Sequence, residues 1–167
     1  QLDEVAPNEA HHLIAQIQTK YNVTVITQNI DDLHERAGST NVLHLHGELR
    51  KSRSSKNPNL IYDCNQDIKL GDLASDGNQL RPHIVWFGEA VTEIEKAIEI
   101  TQSADLFVIV GTSMVVHPAA SLLLAVPVDV QTVYIDTNPN VEVGINLLVI
   151  KEKATVGVRQ LIEVYLP

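Results

Sequence analysis

The run Leu106-Phe107-Val108-Ile109-Val110, with no polar residue inside it, narrows the fold of this chain more than any other stretch. A strand so uniformly apolar has both faces covered, and such strands belong in the middle of parallel sheets. Shorter β-branched runs recur at Val23 to Ile26, Val133 to Ile135 and Leu147 to Ile150. Segments with helical spacing lie between them. Ala10, Leu13, Ile14 and Ile17 recur at i, i+3, i+4 and i+7 behind an Asn8 N-cap, which predicts a helix from about Glu9 to Lys20 with His11 and His12 as surface positions. Ile94, Ala97, Ile98 and Thr101 mark a second helix. Ala119 to Ala125 fits a short third, after Pro118 at its first position, and Val158, Leu161, Ile162 and Tyr165 supply the apolar face of a last one. Strands alternating with helices in this way predict an α/β fold with a doubly wound parallel sheet.

With 167 residues, 44% of them hydrophobic, the chain has enough apolar mass for one compact domain and little more. The composition changes from Arg50 to Gln79, where Ser, Asn, Asp, Lys and Gly replace apolar anchors, so residues 50–79 are expected to form a loop-rich insertion or small lobe. A net charge of −9 argues against nucleic acid as the main partner. The one basic cluster, Arg50-Lys51-Ser52-Arg53 with Lys56, reads as a solvated loop. No apolar run approaches the ~20 residues that cross a bilayer, and no signal-peptide pattern opens the chain, so a soluble cytoplasmic protein is the expectation. The single cysteine, Cys64, excludes an internal disulfide and a cysteine zinc cage.

Polar residues gather where strands end. Thr27-Gln28-Asn29 closes one strand, with Asp31 and Asp32 just beyond; Gly111-Thr112-Ser113 closes another, and Thr137-Asn138 a third. In a parallel sheet these ends share one edge, where open α/β sheets bind polar ligands such as nucleotides. Leu33 to Ala37 fits a short helix stopped by Gly38, and Val42 to His46 fits a strand closed by Gly47. His46 would then project toward the cleft as a general base, or serve a structural role. His44 and His46, two apart on one strand, would face the same side and offer a metal pair as the alternative. Asn29 and Asp31 are either ligand contacts or caps for the following helix. Nucleophilic catalysis has little support, because Cys64 lies in the insertion and Ser113 has only His117 nearby in sequence. None of the eight glycines forms Gly-x-Gly, so either the ligand is not a dinucleotide or its phosphate loop lies outside these residues.

Taken in order, Thr27-Gln28-Asn29-Ile30-Asp31 with Leu33-His34 and Ala37-Gly38, His46-Gly47, Val85-Trp86-Phe87-Gly88-Glu89, Gly111-Thr112-Ser113 and Asn138-Pro139-Asn140 resemble the motifs of the sirtuins, NAD-dependent protein lysine deacylases. The wording TQNIDDLHERAG and RPHIVWFGE is most similar to the bacterial class that includes removers of acidic acyl groups. The resemblance implies a Rossmann-like domain that uses NAD and acts on acyl-lysine proteins or peptides as a monomer. The acyl oxygen would attack the nicotinamide ribose, and an alkylimidate would form as nicotinamide leaves. His46 would act as base on a ribose hydroxyl, giving free lysine and O-acyl-ADP-ribose. It further implies that Asn29 and Asp31 join His46 in the catalytic set, and that Gln28, Asn29, Ile30, Asp31, Gly111, Thr112, Ser113, Asn138, Lys153 and Ala154 hold the cofactor. Val85, Trp86, Phe87, Gly88, Glu89 and Val115 would hold the acyl-lysine segment.

Two departures from the family pattern carry expectations of their own. Where sirtuins carry two Cys-x-x-Cys pairs, this chain has Ser54-Ser55 and a lone Cys64, so no structural zinc and no other metal is expected. The glycine-rich NAD loop that opens the family would precede Gln1, so the chain is expected to be an N-terminally incomplete sirtuin domain. A binding module without turnover, or a protein ADP-ribosyltransferase, are the alternative activities.

Overall fold

The computed structural model describes residues 2–112, 119–139 and 146–166. After a 3-10 turn at Leu2–Glu4, the chain runs through α1 (Glu9–Ile17), β1 (Val25–Thr27), α2 (Leu33–Arg36), β2 (Val42–His44), β3 (Gly47–Ser54), β4 (Ile61–Asp63) and β5 (Leu80–Ile84). It continues with α3 (Ile94–Gln102), β6 (Leu106–Val110), a 3-10 helix at Ala119–Ala125, β7 (Gln131–Ile135), β8 (Leu147–Ile150) and α4 (Ala154–Tyr165). Asn8 caps α1 as expected. Its Oδ1 accepts the Ala10 amide, while its own amide donates to His11 Nδ1 in a reciprocal box. The helix is shorter than its apolar spacing predicts. Residues 18–20 close with i→i+3 bonds instead, the tightening common at helix ends.

Two parallel sheets form, β1-β2 and β6-β7-β8, beside an antiparallel sheet β4-β3-β5. Side-chain alternation along the strands decides which helices cover which face. Leu106, Val108 and Val110 of β6 join Val133, Ile135 and Ile150 in a core shared with Ala10 of α1 and Val158 and Leu161 of α4. Phe107 points the other way, toward Leu43, Leu45, Ala97 of α3 and Leu122 of the 3-10 helix. Helices therefore lie on both faces, the arrangement of a Rossmann-like α/β fold.

Two expectations about individual elements give way. The central strand is β7, hydrogen-bonded on both sides and buried from Thr132 to Ile135, whereas β6 buries only Ile109 fully. An apolar run shows that a strand is covered, not how many strands flank it. Tyr165, expected on the buried face of the last helix, is 47% exposed, because Leu161, Ile162 and Leu166 supply the packing face at that end of α4.

The stretch expected to be loop-rich hangs its loops on the antiparallel sheet. Ser54 lies in the region expected to lack a metal cage, and its Oγ donates to Asp76 Oδ2 (2.7 Å) and accepts the Lys56 and Asn57 amides (3.1 and 3.2 Å). This hydroxyl knuckle ties the β3–β4 turn to the 72–79 loop. The basic cluster is not a free loop either. Arg50 bridges Asp3 and Asp32, Lys51 pairs with Glu48, and Arg53 reaches Glu89.

Candidate active site

β1 carries its polar tip into the cleft edge. The Gln28 side-chain Nε2 donates to Thr112 Oγ1 at 3.4 Å, and the Gly111 backbone amide donates to the Ile135 carbonyl at 2.9 Å. The buried Tyr134 hydroxyl donates to the Thr112 carbonyl at 2.6 Å. The ends of β1, β6 and β7 thus meet as their sequences predict, and the Asn138 amide closes a turn on Asp136 Oδ1 just beyond β7. Lys153 and Ala154 lie at the start of α4, after β8. Ser113 and Val115, like His117, Pro118 and Asn140, lie outside the described residues.

The segment from Gln28 to Asp31 is anchored by its backbone. The Asn29 amide donates to Thr27 Oγ1, the Asn29 carbonyl accepts from His44 Nδ1 at 3.0 Å, and the Ile30 carbonyl accepts the Leu49 amide at 2.8 Å. Leu49 is free to turn toward Ile30 because β3 slips register against β5 between Glu48 and Ser52. The Asn29 side chain is exposed and makes no hydrogen bond with the described residues. Asp31 supplies the capping bond from one position before the N-cap Asp32, whose own side chain makes none: its Oδ1 accepts the Leu33 amide at 3.1 Å at the start of α2. Capping engages only Oδ1, so it leaves room for a ligand role as well.

The chain does not continue one strand through His46. β2 ends at His44, and Gly47, at φ 80°, opens β3 instead of closing β2. That positive φ lets the backbone turn from the parallel pair into the antiparallel sheet. The turn separates the two histidines. His44 is buried, with Nε2 2.8 Å from Glu35 Oε1. His46 is half-buried, and its Nδ1–H donates to the Gln28 carbonyl at 2.9 Å. Bonded apart in this way, the rings do not form a metal pair, and no cluster of three or more His, Cys, Asp or Glu among the described residues suits a metal. For His46 the consequence is chemical. Donation from Nδ1 puts the lone pair on Nε2, the form a general base needs.

The backbone of His46 also meets the Val85–Glu89 segment, since the Val85 amide donates to the His46 carbonyl at 2.9 Å. Trp86 is 55% exposed and Phe87 fully so, and a tight turn closes as the Glu89 amide donates to the Trp86 carbonyl. The Glu89 carboxylate accepts from Arg81 (2.6 and 3.2 Å), Arg53 (3.2 Å) and the Trp86 amide (3.0 Å). Arg81, together with the Trp86 amide, holds its pKa down to about 2.

Sequence reasoning missed Arg53, Arg81, Glu35 and His44 as supports of the site. Their partners lie 8 to 36 residues away, and no local pattern joins them. His11, expected to be incidental, lies 4.7 Å from the His34 ring, centroid to centroid. Burial lowers the pKa of both rings.

Comparison with known proteins agrees with this geometry. The Sir2 family model matches residues 1–118. A Bacteroides thetaiotaomicron protein named NAD-dependent protein deacylase is 48% identical over all of this chain and 74% of its own length. A Helicobacter pylori protein of the same name is 50% identical over 96% of this chain and 71% of its own. Among solved structures, a complex of a Sir2 homologue with NAD superposes with a TM-score of 0.83 at 34% identity, covering 97% of this chain and 66% of that one. By the family match and by relatives near half identity over nearly its whole length, this chain belongs to the Sir2 family.

Proposed function

We propose that the chain performs NAD-dependent removal of acyl groups from protein lysine side chains. The observation that carries this reading is the His46 ring, held through Nδ1 by the carbonyl of Gln28, which leaves the lone pair on Nε2, while the Gln28 side chain and Tyr134 join the polar ends of three strands at Thr112. The residues present fit the dinucleotide. Asn29 offers an uncommitted side-chain amide, Gln28 and Thr112 join two strand ends, and Gly111, Asn138, Lys153 and Ala154 follow the ends of β6, β7 and β8. When bound, NAD supplies an electrophilic ribose carbon whose leaving group is nicotinamide. Asn29, Ile30 and Asp31 would shape the nicotinamide end, and Ser113 would join the phosphate contacts. His46 Nε2 would take the proton from a ribose hydroxyl, with the Gln28 carbonyl steadying the ring as charge develops on it. Val85, Trp86, Phe87 and Gly88 would wall the acyl-lysine channel, and an extended substrate would lie beside them and Val115.

The same reading holds the protein to be a zinc-free cytoplasmic monomer that does not act on nucleic acid. The Ser54 knuckle supports the first point and the net charge of −9 the last. The test is incubation with NAD and acetyl- or succinyl-lysine peptides, with products followed by mass spectrometry. Nicotinamide, deacylated peptide and O-acyl-ADP-ribose are expected, and His46→Ala should abolish them. Peptide binding without turnover would mark a binding module, and ADP-ribose on protein would mark a transferase. Full turnover by His46→Ala would remove the base assignment.

A further inference from the structure

Glu89 follows the exposed Trp86-Phe87-Gly88 turn, and its carboxylate is turned back into the fold. Three separate groups meet it: the Arg81 guanidinium through two nitrogens, Arg53 Nη2 and the Trp86 amide. The two arginines also share one further acceptor. Arg53 Nη2 and Arg81 Nη2 donate to the Ile84 carbonyl at 3.3 and 3.2 Å. The bonds therefore grip the chain immediately before Val85, at the Ile84 carbonyl, and immediately after it, at the Trp86 amide. Val85 itself is tied to His46 through its own amide.

We infer that Glu89, Arg81 and Arg53 are positioning residues that set the acyl-lysine channel against the catalytic base, and that they govern substrate-peptide affinity separately from NAD affinity. This rests on the deacylase reading of the site. The physical ground is the location of the bonds. Every one of them ends on residues 84, 86 or 89, none ends on Gln28 to Asp31, Gly111, Thr112 or Asn138, and charge-assisted bonds of bidentate type fix orientation as well as distance. A carboxylate held down to about 2 stays ionised throughout the range in which an enzyme of this kind works, so the clamp does not open with pH near neutrality. Arg53 lies on β3 and Arg81 on β5, so the clamp also joins two strands of the antiparallel sheet to the exposed turn that follows them.

The protein carries one tryptophan, Trp86, inside the clamped turn, which allows a test that does not depend on turnover. Acetyl-lysine peptide binding is titrated by Trp86 fluorescence in the wild type, Glu89→Ala, Glu89→Gln and Arg81→Lys, and KM for peptide and for NAD is measured in parallel. Glu89→Ala should weaken peptide binding about tenfold and raise the peptide KM to match, while the NAD KM changes less than about twofold. Glu89→Gln, which keeps an acceptor for the Trp86 amide, should fall between the two, as should Arg81→Lys. Equal loss of peptide and NAD affinity in the folded Glu89→Gln protein would overturn the inference, and so would unchanged peptide affinity in Glu89→Ala. If Glu89→Ala does not fold, the Glu89→Gln and Arg81→Lys comparison decides by the same criterion. A wild type that binds peptide without turning it over would sink the deacylase reading while leaving the affinity comparison intact.

Discussion

Replacing Gly47 with alanine tests how tightly the base is built into the fold. Gly47 sits at φ 80°, directly after His46 and in register with Ile84. A Cβ built there would overlap the His83 carbonyl oxygen and lie 2.9 Å from its carbon and 3.2 Å from Ile84 Cα. These are backbone atoms of β5, so no side-chain rotation relieves the clash, and β5 itself would have to shift. The left-handed conformation costs an L-residue roughly 1–2 kcal/mol, and overpacking adds about 1–3 kcal/mol. The sum is on the order of 2–5 kcal/mol, or roughly 4 to 20 °C in Tm for a chain of this length. Gly77 provides the control: it too has positive φ, at 77°, but a Cβ there meets nothing within 4 Å. Gly77→Ala should therefore show only the conformational share, about 1–2 kcal/mol. Thermal unfolding followed by circular dichroism measures both variants. Because a displaced β5 drags Val85 from the His46 carbonyl, Gly47→Ala should also lose acyl-peptide turnover. Equal Tm for the two variants, or a Gly47→Ala protein with wild-type Tm, would refute the close-approach argument.

Gly157 of α4 poses the same question in a helix, where alanine normally gains about 1 kcal/mol. A Cβ there would overlap Ile135 Cγ2, which is fixed on a branched carbon of the central strand, at a cost of about 1–3 kcal/mol. Gly157→Ala should lower Tm, and a rise would show that the contact yields. Ser54→Ala removes the bonds to Asp76 and to two amides at an exposed turn, and should cost about 0.5–1.5 kcal/mol, with faster hydrogen exchange at Lys56 and Asn57; unchanged exchange there would rule out the knuckle. His34 is held below its ordinary pKa of 6.5, first by burial and then by the nearby His11. The unfolded chain takes up that proton at a higher pH than the folded one, so stability is lost as pH falls from about 6.5 through the folded value. Tm should therefore drop on acidification from neutral pH, and His34→Gln should flatten the slope; an equal slope in both proteins would remove His34 as a cause.

Much of the site was legible because it rests on local patterns. A β-branched run followed by Thr-Gln-Asn is a strand end wherever it occurs, and the apolar spacing of α1, α3 and α4 is a property of each helix alone. His46 stood out by its residue type and by the glycine behind it. The supports of the site were not legible, because they join residues distant in sequence. Arg53 and Glu89 are 36 positions apart, and nothing in either neighbourhood announces the other. The same holds for the tie from His46 Nδ1 to the Gln28 carbonyl, which depends on β1 and β2 lying parallel and in register.

The sequence by itself therefore determined the α/β alternation, the polar strand ends and the inventory of reactive groups, since each follows from periodicity, β-branching or side-chain chemistry. Tertiary structure alone decided that β7 is the central strand, that His44 and His46 face different partners, which nitrogen of His46 carries the proton, and that Glu89 is turned toward two arginines. Those outcomes depend on which strands pair and how far they slip against one another. Pairing is chosen by burial across the whole chain and not by any one segment of it.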